Sequence, residues 1–174
     1  KTKNQIYIDK LSKQLCGKFR KGHFEGVLNV VNRFLEIINP KYIFLGIKDF
    51  QQLILIKRHI RKNKIKTKVI ECKTIRERNG VACSTRNLNL KNNELKIASN
   101  IYRYLFNLNK NIIKNYSLLK VNRIKKDLIL LGATKIDYIE NLNIEGYEKK
   151  GQLKNKFKLF IAYYIKNIRL IDNI

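Results

Sequence analysis

Tyr42-Ile43-Phe44-Leu45-Gly46-Ile47-Lys48-Asp49-Phe50-Gln51-Gln52-Leu53 is the stretch that decides the fold. A compact apolar run from Tyr42 to Leu45 ends at a glycine, which suits a strand buried on both faces. A helix follows, beginning near Phe50 and running through Leu53, Ile54, Lys57 and Ile60 to about Lys62. Upstream, Phe24, Val27, Val30, Val31, Phe34, Leu35 and Ile38 recur at helical steps until Asn39-Pro40 stops them, and Ile6-Tyr7-Ile8 reads as a short strand before them. Downstream, Thr67 to Cys72 is the next strand. This β-α-β-α-β order with short connections predicts an α/β fold with three parallel strands and right-handed crossovers, roughly half of a doubly wound sheet. The other half is expected on the N-terminal side.

After Thr74 the pattern changes. A polar stretch carries Arg76, Arg78, Gly80 and Arg86, and two helical segments follow, about Asn92 to Leu105 and Tyr116 to Leu131, the second ending at Gly132. The Lys/Asn-rich stretch from Asn107 to Asn115 reads as an exposed connection. Lys135 to Glu140 alternates, and Leu159 to Leu170 is strand-like with a bend or break at Lys166-Asn167. Antiparallel pairing of these pieces beside the two helices predicts a small α+β domain. The boundary falls between Ile75 and Asn87, so residues 1–80 carry the partial parallel sheet and residues 81–174 the second domain.

A length of 174 residues, 44% hydrophobic and 29% charged, is expected of one ordinary domain or a domain with a small appendage, rather than of a peptide, a disordered tail or a large multidomain enzyme. No apolar run approaches the roughly 18 residues of a membrane span, and the Lys-rich start lacks a signal peptide's apolar core, so a cytoplasmic protein is expected. The chain has no Met and opens on Lys1, so the start is read as a cut edge with part of any site beyond it. The net charge of +25 has two readings. One is a polyanionic partner, as for a basic nucleic-acid-binding module; the other is compositional drift, since Lys outnumbers Arg nearly threefold and is dispersed along the chain. Cys16, Cys72 and Cys83 form no C-x-x-C pair and have only His23 and His59 as co-ligands, so no protein-held metal is expected.

Chemistry concentrates in three blocks. Gly46-Ile47-Lys48-Asp49 lies at the carboxyl end of a strand and runs into a helix, the position where open α/β sheets bind ligands. The helix start offers free N–H groups and Lys48 a charge for phosphate oxygens. Asp49-x-x-Gln52 also fits a capping box, a purely structural alternative. In Ala82-Cys83-Ser84-Thr85-Arg86-Asn87, two hydroxyls and a guanidinium can bond phosphate, or the Ser-Thr pair can serve as a turn or cap. Arg20-Lys21-Gly22-His23-Phe24 opens the first long helix, and His23 either titrates near neutral pH or bonds the helix start.

Read in order, these blocks resemble the pantothenate synthetase (pantoate–β-alanine ligase) family of the nucleotidyltransferase-like Rossmann superfamily. Leu15-Cys16-Gly17-Lys18-Phe19-Arg20-Lys21-Gly22-His23-Phe24-Glu25-Gly26-Val27 is similar to its L-x-G-x-x-R-P-G-H-F-x-G-V block, and Gly46 to Leu53 to G-E-K-D-[FY]-Q-Q-L. Thr74-Ile75-Arg76 resembles [TI]-[VM]-R, Ala82 to Leu90 resembles A-[LM]-S-[ST]-R-N-x-x-L, and Arg169 to Asn173 resembles R-L-[IL]-D-N. The spacing is kept across essentially the whole chain.

The resemblance implies ATP-dependent condensation of pantoate with β-alanine through pantoyl adenylate, releasing pyrophosphate and then AMP, with Mg²⁺ arriving on the ATP. It implies an ATP site formed by Gly46, Ile47, Lys48, Asp49, Ile75, Cys83, Ser84, Thr85 and Arg86. Lys48, Ser84, Thr85 and Arg86 would stabilise the transition state, Asp49 would stand near the ribose, Ile75 would offer its main chain to the adenine, and Gln52 would bond pantoate. Arg20 and His23 stand near that pocket in the family. Ile47 replaces a usual Glu, Lys21 a usual Pro and Cys83 a usual Leu or Met. The family's His-x-Gly-His signature, with its catalytic histidine and a second pantoate-binding glutamine, is expected in an N-terminal half outside these residues. The chain is therefore expected to be a C-terminal portion, inactive alone and homodimeric when complete, or else an inactive remnant. Neither a membrane nor a nucleic acid is an expected partner.

Overall fold

The computed structural model describes residues 4–112, 118–144 and 157–174. The chain divides into two compact units, one ending at Lys73 and the other beginning at Thr74. In the first, helices α1 (Leu15–Phe19) and α2 (His23–Ile38) precede strand β1 (Tyr42–Gly46), helix α3 (Phe50–Lys62) and strand β2 (Lys68–Cys72). The two strands are parallel, in register from Tyr42 opposite Lys68 to Gly46 opposite Cys72. Helix α3 is the crossover and the heart of this unit's core. Leu53, Ile54, Leu55 and Ile56 are each 2% exposed or less, because four consecutive apolar residues wrap more than one face of the helix. An ion pair from Lys57 to Glu71 ties α3 to β2.

Two expectations for this unit are corrected. Ile6-Tyr7-Ile8 is not a strand; the sheet among the described residues has the order β1-β2. Three apolar residues carry no ladder by themselves, and side chains hold this segment instead. Asn4 N–H donates to Glu36 Oε1 at 3.0 Å, Asn63 Nδ2 to the Gln5 carbonyl at 3.1 Å, and Lys62 Nζ sits 3.7 Å from the Tyr7 ring centre. Nor is β1 buried on both faces: Tyr42 is 41% and Phe44 67% exposed, with Ile70, paired to Phe44, at 38%. An apolar run fixes that a strand forms, but coverage of its second face depends on what packs there. Helix α2 likewise buries Phe24, Leu28 and Leu35 while Val30, Phe34, Ile37 and Ile38 remain exposed.

The second unit holds helices α4 (Asn92–Ile112) and α5 (Leu118–Leu130) and strands β3 (Lys135–Asn143), β4 (Phe157–Ile165) and β5 (Ile168–Asn173). The strands form an antiparallel sheet in the order β3-β4-β5, the α+β arrangement expected. Lys166-Asn167 is the two-residue turn of a hairpin closed by Ile165 opposite Ile168, and Lys166 takes the left-handed backbone such turns require. Its ammonium reaches Glu94 Oε1 at 2.6 Å, anchoring the hairpin tip to the first turn of α4. Glu94 also accepts the Lys91 N–H at 2.8 Å; the Lys166 bond first, then this one, holds its carboxyl below the usual range.

Helix α4 continues to Ile112, past the Leu105 end expected for it, so the exposed connection placed from Asn107 starts too early. Leu108 prolongs the periodic apolar face onto the core, outweighing the small propensity cost of the Asn and Lys around it. The Tyr116 start expected for the next helix lies outside the described residues. Gly132 ends α5 as expected, with φ +108 and Ala133 N–H returning to the Leu128 carbonyl at 2.9 Å. Ile101, Leu105, Ile124, Leu128, Ile161 and Ile165 are the fully buried centre.

Candidate nucleotide-binding residues

In the first unit, β1 ends at Gly46 and one 3-10 turn, Ile47–Asp49, leads into α3. Gly46 has ordinary extended backbone (φ −72, ψ 131), so the turn does not demand glycine. A side-chain carbon built there would meet nothing within 4 Å, so glycine leaves space open at the strand end. Lys48 has a side chain only 17% exposed and its Nζ lies 3.6 Å from Asp49 Oδ2. The capping alternative for Asp49 is not what forms, because Asp49 makes no side-chain cap bond to α3. Its carboxylate, 48% exposed, faces Lys48 at a separation worth little in water.

The adjacent glutamines divide the work. Gln51, 6% exposed, donates from Nε2 to the carbonyls of Leu11 (2.6 Å) and Gln14 (2.7 Å) and accepts the Cys16 N–H at 3.1 Å. It splints the segment leading to α1, a role that sequence reasoning misses; nothing in a Gln-Gln pair says which member faces inward. Gln52 is half-buried, and its side-chain amide makes no hydrogen bond to the described residues. Arg20 follows α1 directly, and His23 is the first residue of α2, its ring 5.0 Å from that of Phe24.

In the second unit, Ile75 is 75% exposed and its carbonyl accepts the Cys83 N–H at 2.9 Å. Cys83 is exposed. Ser84 caps the short 3-10 helix Thr85–Asn89, its Oγ accepting the Arg86 N–H at 3.3 Å. The cap reading of the hydroxyl pair is therefore realised for Ser84, whose own O–H proton stays free to point outward. Thr85 and Arg86 are exposed, and Arg86 Nη1 donates to the Arg169 carbonyl at 3.0 Å. Asn87, a residue quoted in the motif without a role, is buried and bonds the Ala82 carbonyl (3.0 Å) and Glu77 Oε1 (3.1 Å). The Lys48 ammonium in the first block, and the Ser84 and Thr85 hydroxyls with the Arg86 guanidinium in the second, are donors of the kind that phosphate oxygens accept from. Among the described residues no three His, Cys, Asp or Glu side chains cluster to hold a metal ion, and no helix is long and apolar enough to cross a membrane.

The family model described as pantoate-beta-alanine ligase matches residues 2–174. The chain belongs to the pantoate-beta-alanine ligase family. It is 37% identical over 175 residues to the pantothenate synthetase of Caldicellulosiruptor saccharolyticus, covering 99% of this chain and 62% of the relative. With that of Leptospira interrogans it shares 39% identity, over 97% of this chain and 60% of the relative. The chain thus spans about three fifths of these relatives. Among solved structures, a pantoate-beta-alanine ligase from Francisella tularensis, complexed with beta-gamma ATP and beta-alanine, superposes with a TM-score of 0.76 at 34% identity. It covers 97% of this chain and 56% of that one. Pantothenate synthetase from Thermus thermophilus gives 0.83 at 27% identity, covering 98% and 62%. These ligase structures agree with the α/β class and the nucleotidyltransferase-like fold, and the nucleic-acid reading of the charge finds no support in them.

Proposed function

We propose that this chain supplies the Lys48 and Ser84–Arg86 groups of an enzyme that condenses pantoate with β-alanine at the expense of ATP. The observation that carries the reading is membership of the ligase family over residues 2–174; Lys48, Ser84, Thr85 and Arg86 stand in the motifs read from the sequence. In the first step the pantoate carboxylate attacks the α-phosphorus of ATP and pyrophosphate leaves. In the second the β-alanine amine attacks the acyl carbon of pantoyl adenylate and AMP leaves. Displacement at phosphorus needs position and charge neutralisation more than covalent help. Lys48, the Ser84 and Thr85 hydroxyls and Arg86 are donors of that kind, and Mg²⁺ is taken to arrive with the nucleotide.

In the same reading Gly46, Ile47 and Asp49 meet the nucleotide, Asp49 beside the ribose. Ile75 offers its main chain to the adenine, Cys83 belongs to the phosphate segment, and Gln52 bonds pantoate. A homodimer and a cytoplasmic location go with it.

The test is AMP release by the full-length protein that carries this chain. Release is expected to require both pantoate and β-alanine and to fall by about 10²-fold or more in Lys48→Ala, the scale seen when one donor to developing charge is lost. Turnover independent of either substrate, or undiminished in Lys48→Ala, refutes the reading.

A further inference from the structure

Two arginines near the Cys83–Arg86 segment are each held by the same strand. Arg76 Nη1 and Nη2 form a two-pronged ion pair with Asp172 of β5, at 2.7 and 2.9 Å, the strong planar arrangement open to Arg and closed to Lys. Nη1 also donates to the Gly80 carbonyl at 3.1 Å, and the guanidinium lies 4.4 Å from the Tyr102 ring centre. Burial alone would weaken the charge on Arg76, but the Asp172 bonds and charge outweigh it and raise its pKa further.

Arg76 is also where the phosphate-directed segment is built. Arg76 pairs with Ala82 as an antiparallel bridge, Glu77 N–H donates to the Val81 carbonyl at 2.9 Å, and Cys83 N–H to that of Ile75 at 2.9 Å. Residues 75–83 are thus a tight hairpin whose second arm runs into Ser84-Thr85-Arg86. At the far end, Asn87 fastens the segment back to Ala82 and Glu77. Arg86 itself spends Nη1 on the carbonyl of Arg169, also on β5, while Arg169 Nε is held by Asp137 of β3 at 2.8 Å. Asp137 sits where the β3–β4 register shifts between Ile136 and Tyr138, an irregularity of the kind that re-aims a side chain.

We propose that β5 positions the Cys83–Arg86 segment for the phosphates of ATP, with Asp172 acting through Arg76 as the positioning residue. The inference rests on the function proposed above. Asp172 itself touches no substrate in this account. It holds the hairpin whose arm presents the Ser84 and Thr85 hydroxyls, and the neighbouring Arg169 carbonyl aims Arg86 while leaving its other N–H groups for phosphate.

The test uses Asp172→Asn and, separately, Arg76→Lys in the full-length protein. Each is expected to lower kcat/KM for ATP about tenfold or more, with the KM for pantoate changed less than about threefold. The double variant should be no worse than the poorer single one, as for two halves of one interaction. In hydrogen exchange, the Cys83 and Asn87 amides should exchange about tenfold faster while those of the β3–β4 ladder stay protected. An unchanged kcat/KM for ATP overturns the proposal, as does acceleration spread evenly over the second unit, the mark of a merely structural pair. Should the unaltered protein show no ATP-dependent turnover, the functional reading fails by itself. Exchange then decides whether β5 anchors the segment: acceleration confined to residues 82–87 sustains it, and no change overturns it.

Discussion

His59 shows what one buried residue contributes. Its side chain has no exposed surface; Nε2 lies 2.9 Å from Asn32 Oδ1 and Nδ1 3.3 Å from Asn63 Nδ2. Burial lowers its pKa below 6.5, with the nearby Glu36 charge opposing. The neutral ring therefore folds and the unfolded chain binds the proton more readily, so the stability it protects is present above pH 6.5 and lost as pH falls below it. Thermal unfolding followed from about pH 7.5 down to about 5.5 should show a falling midpoint, and His59→Gln should flatten that slope. The sequence offers His59 only as a scarce metal ligand; that it is a neutral core group follows from Asn32, 27 residues away, facing it across α2 and α3. Lys48 and Arg86 are legible because their motifs name them, whereas the inward turn of Gln51 is not.

At the scale of elements, periodicity locates α2, α3 and the end of α5 to within a residue or two wherever an apolar stripe meets a clear stop. Gly132 is such a stop. At φ +108 a side chain is strained, and its first carbon would lie 2.9 Å from Ile97 Cδ1. Gly132→Ala should cost about 1–2 kcal/mol, read as a lower thermal midpoint with unchanged secondary structure by circular dichroism. Gly80 is the matching case at the head of the Arg76 hairpin, where φ is +89 and the added carbon would come within 2.3 Å of the Tyr102 ring. Gly80→Ala should displace that ring and raise exchange at the Cys83 amide. Element reading fails for Ile6–Ile8 and for the end of α4. A strand exists only where a neighbour completes its ladder, and a helix continues for as long as its buried face finds a core.

For the whole molecule, 38 Lys and Arg stand against 13 Asp and Glu, a net charge of +25. Self-repulsion should make stability depend on salt. Raising it from about 10 to about 100 mM shortens the screening length from about 30 to about 10 Å, and the thermal midpoint should climb. A flat or falling midpoint would mean that the dispersed lysines scarcely interact. The sequence by itself determined the α/β class, the antiparallel second unit and the motif blocks that mark the family, because periodicity, turn chemistry and motif spacing are local properties of a chain. Only the tertiary structure decided that Phe44 stays exposed and that Asp172, 96 positions from Arg76, closes onto it. Burial and ion pairing depend on which distant segments meet, and one-dimensional spacing does not carry that information.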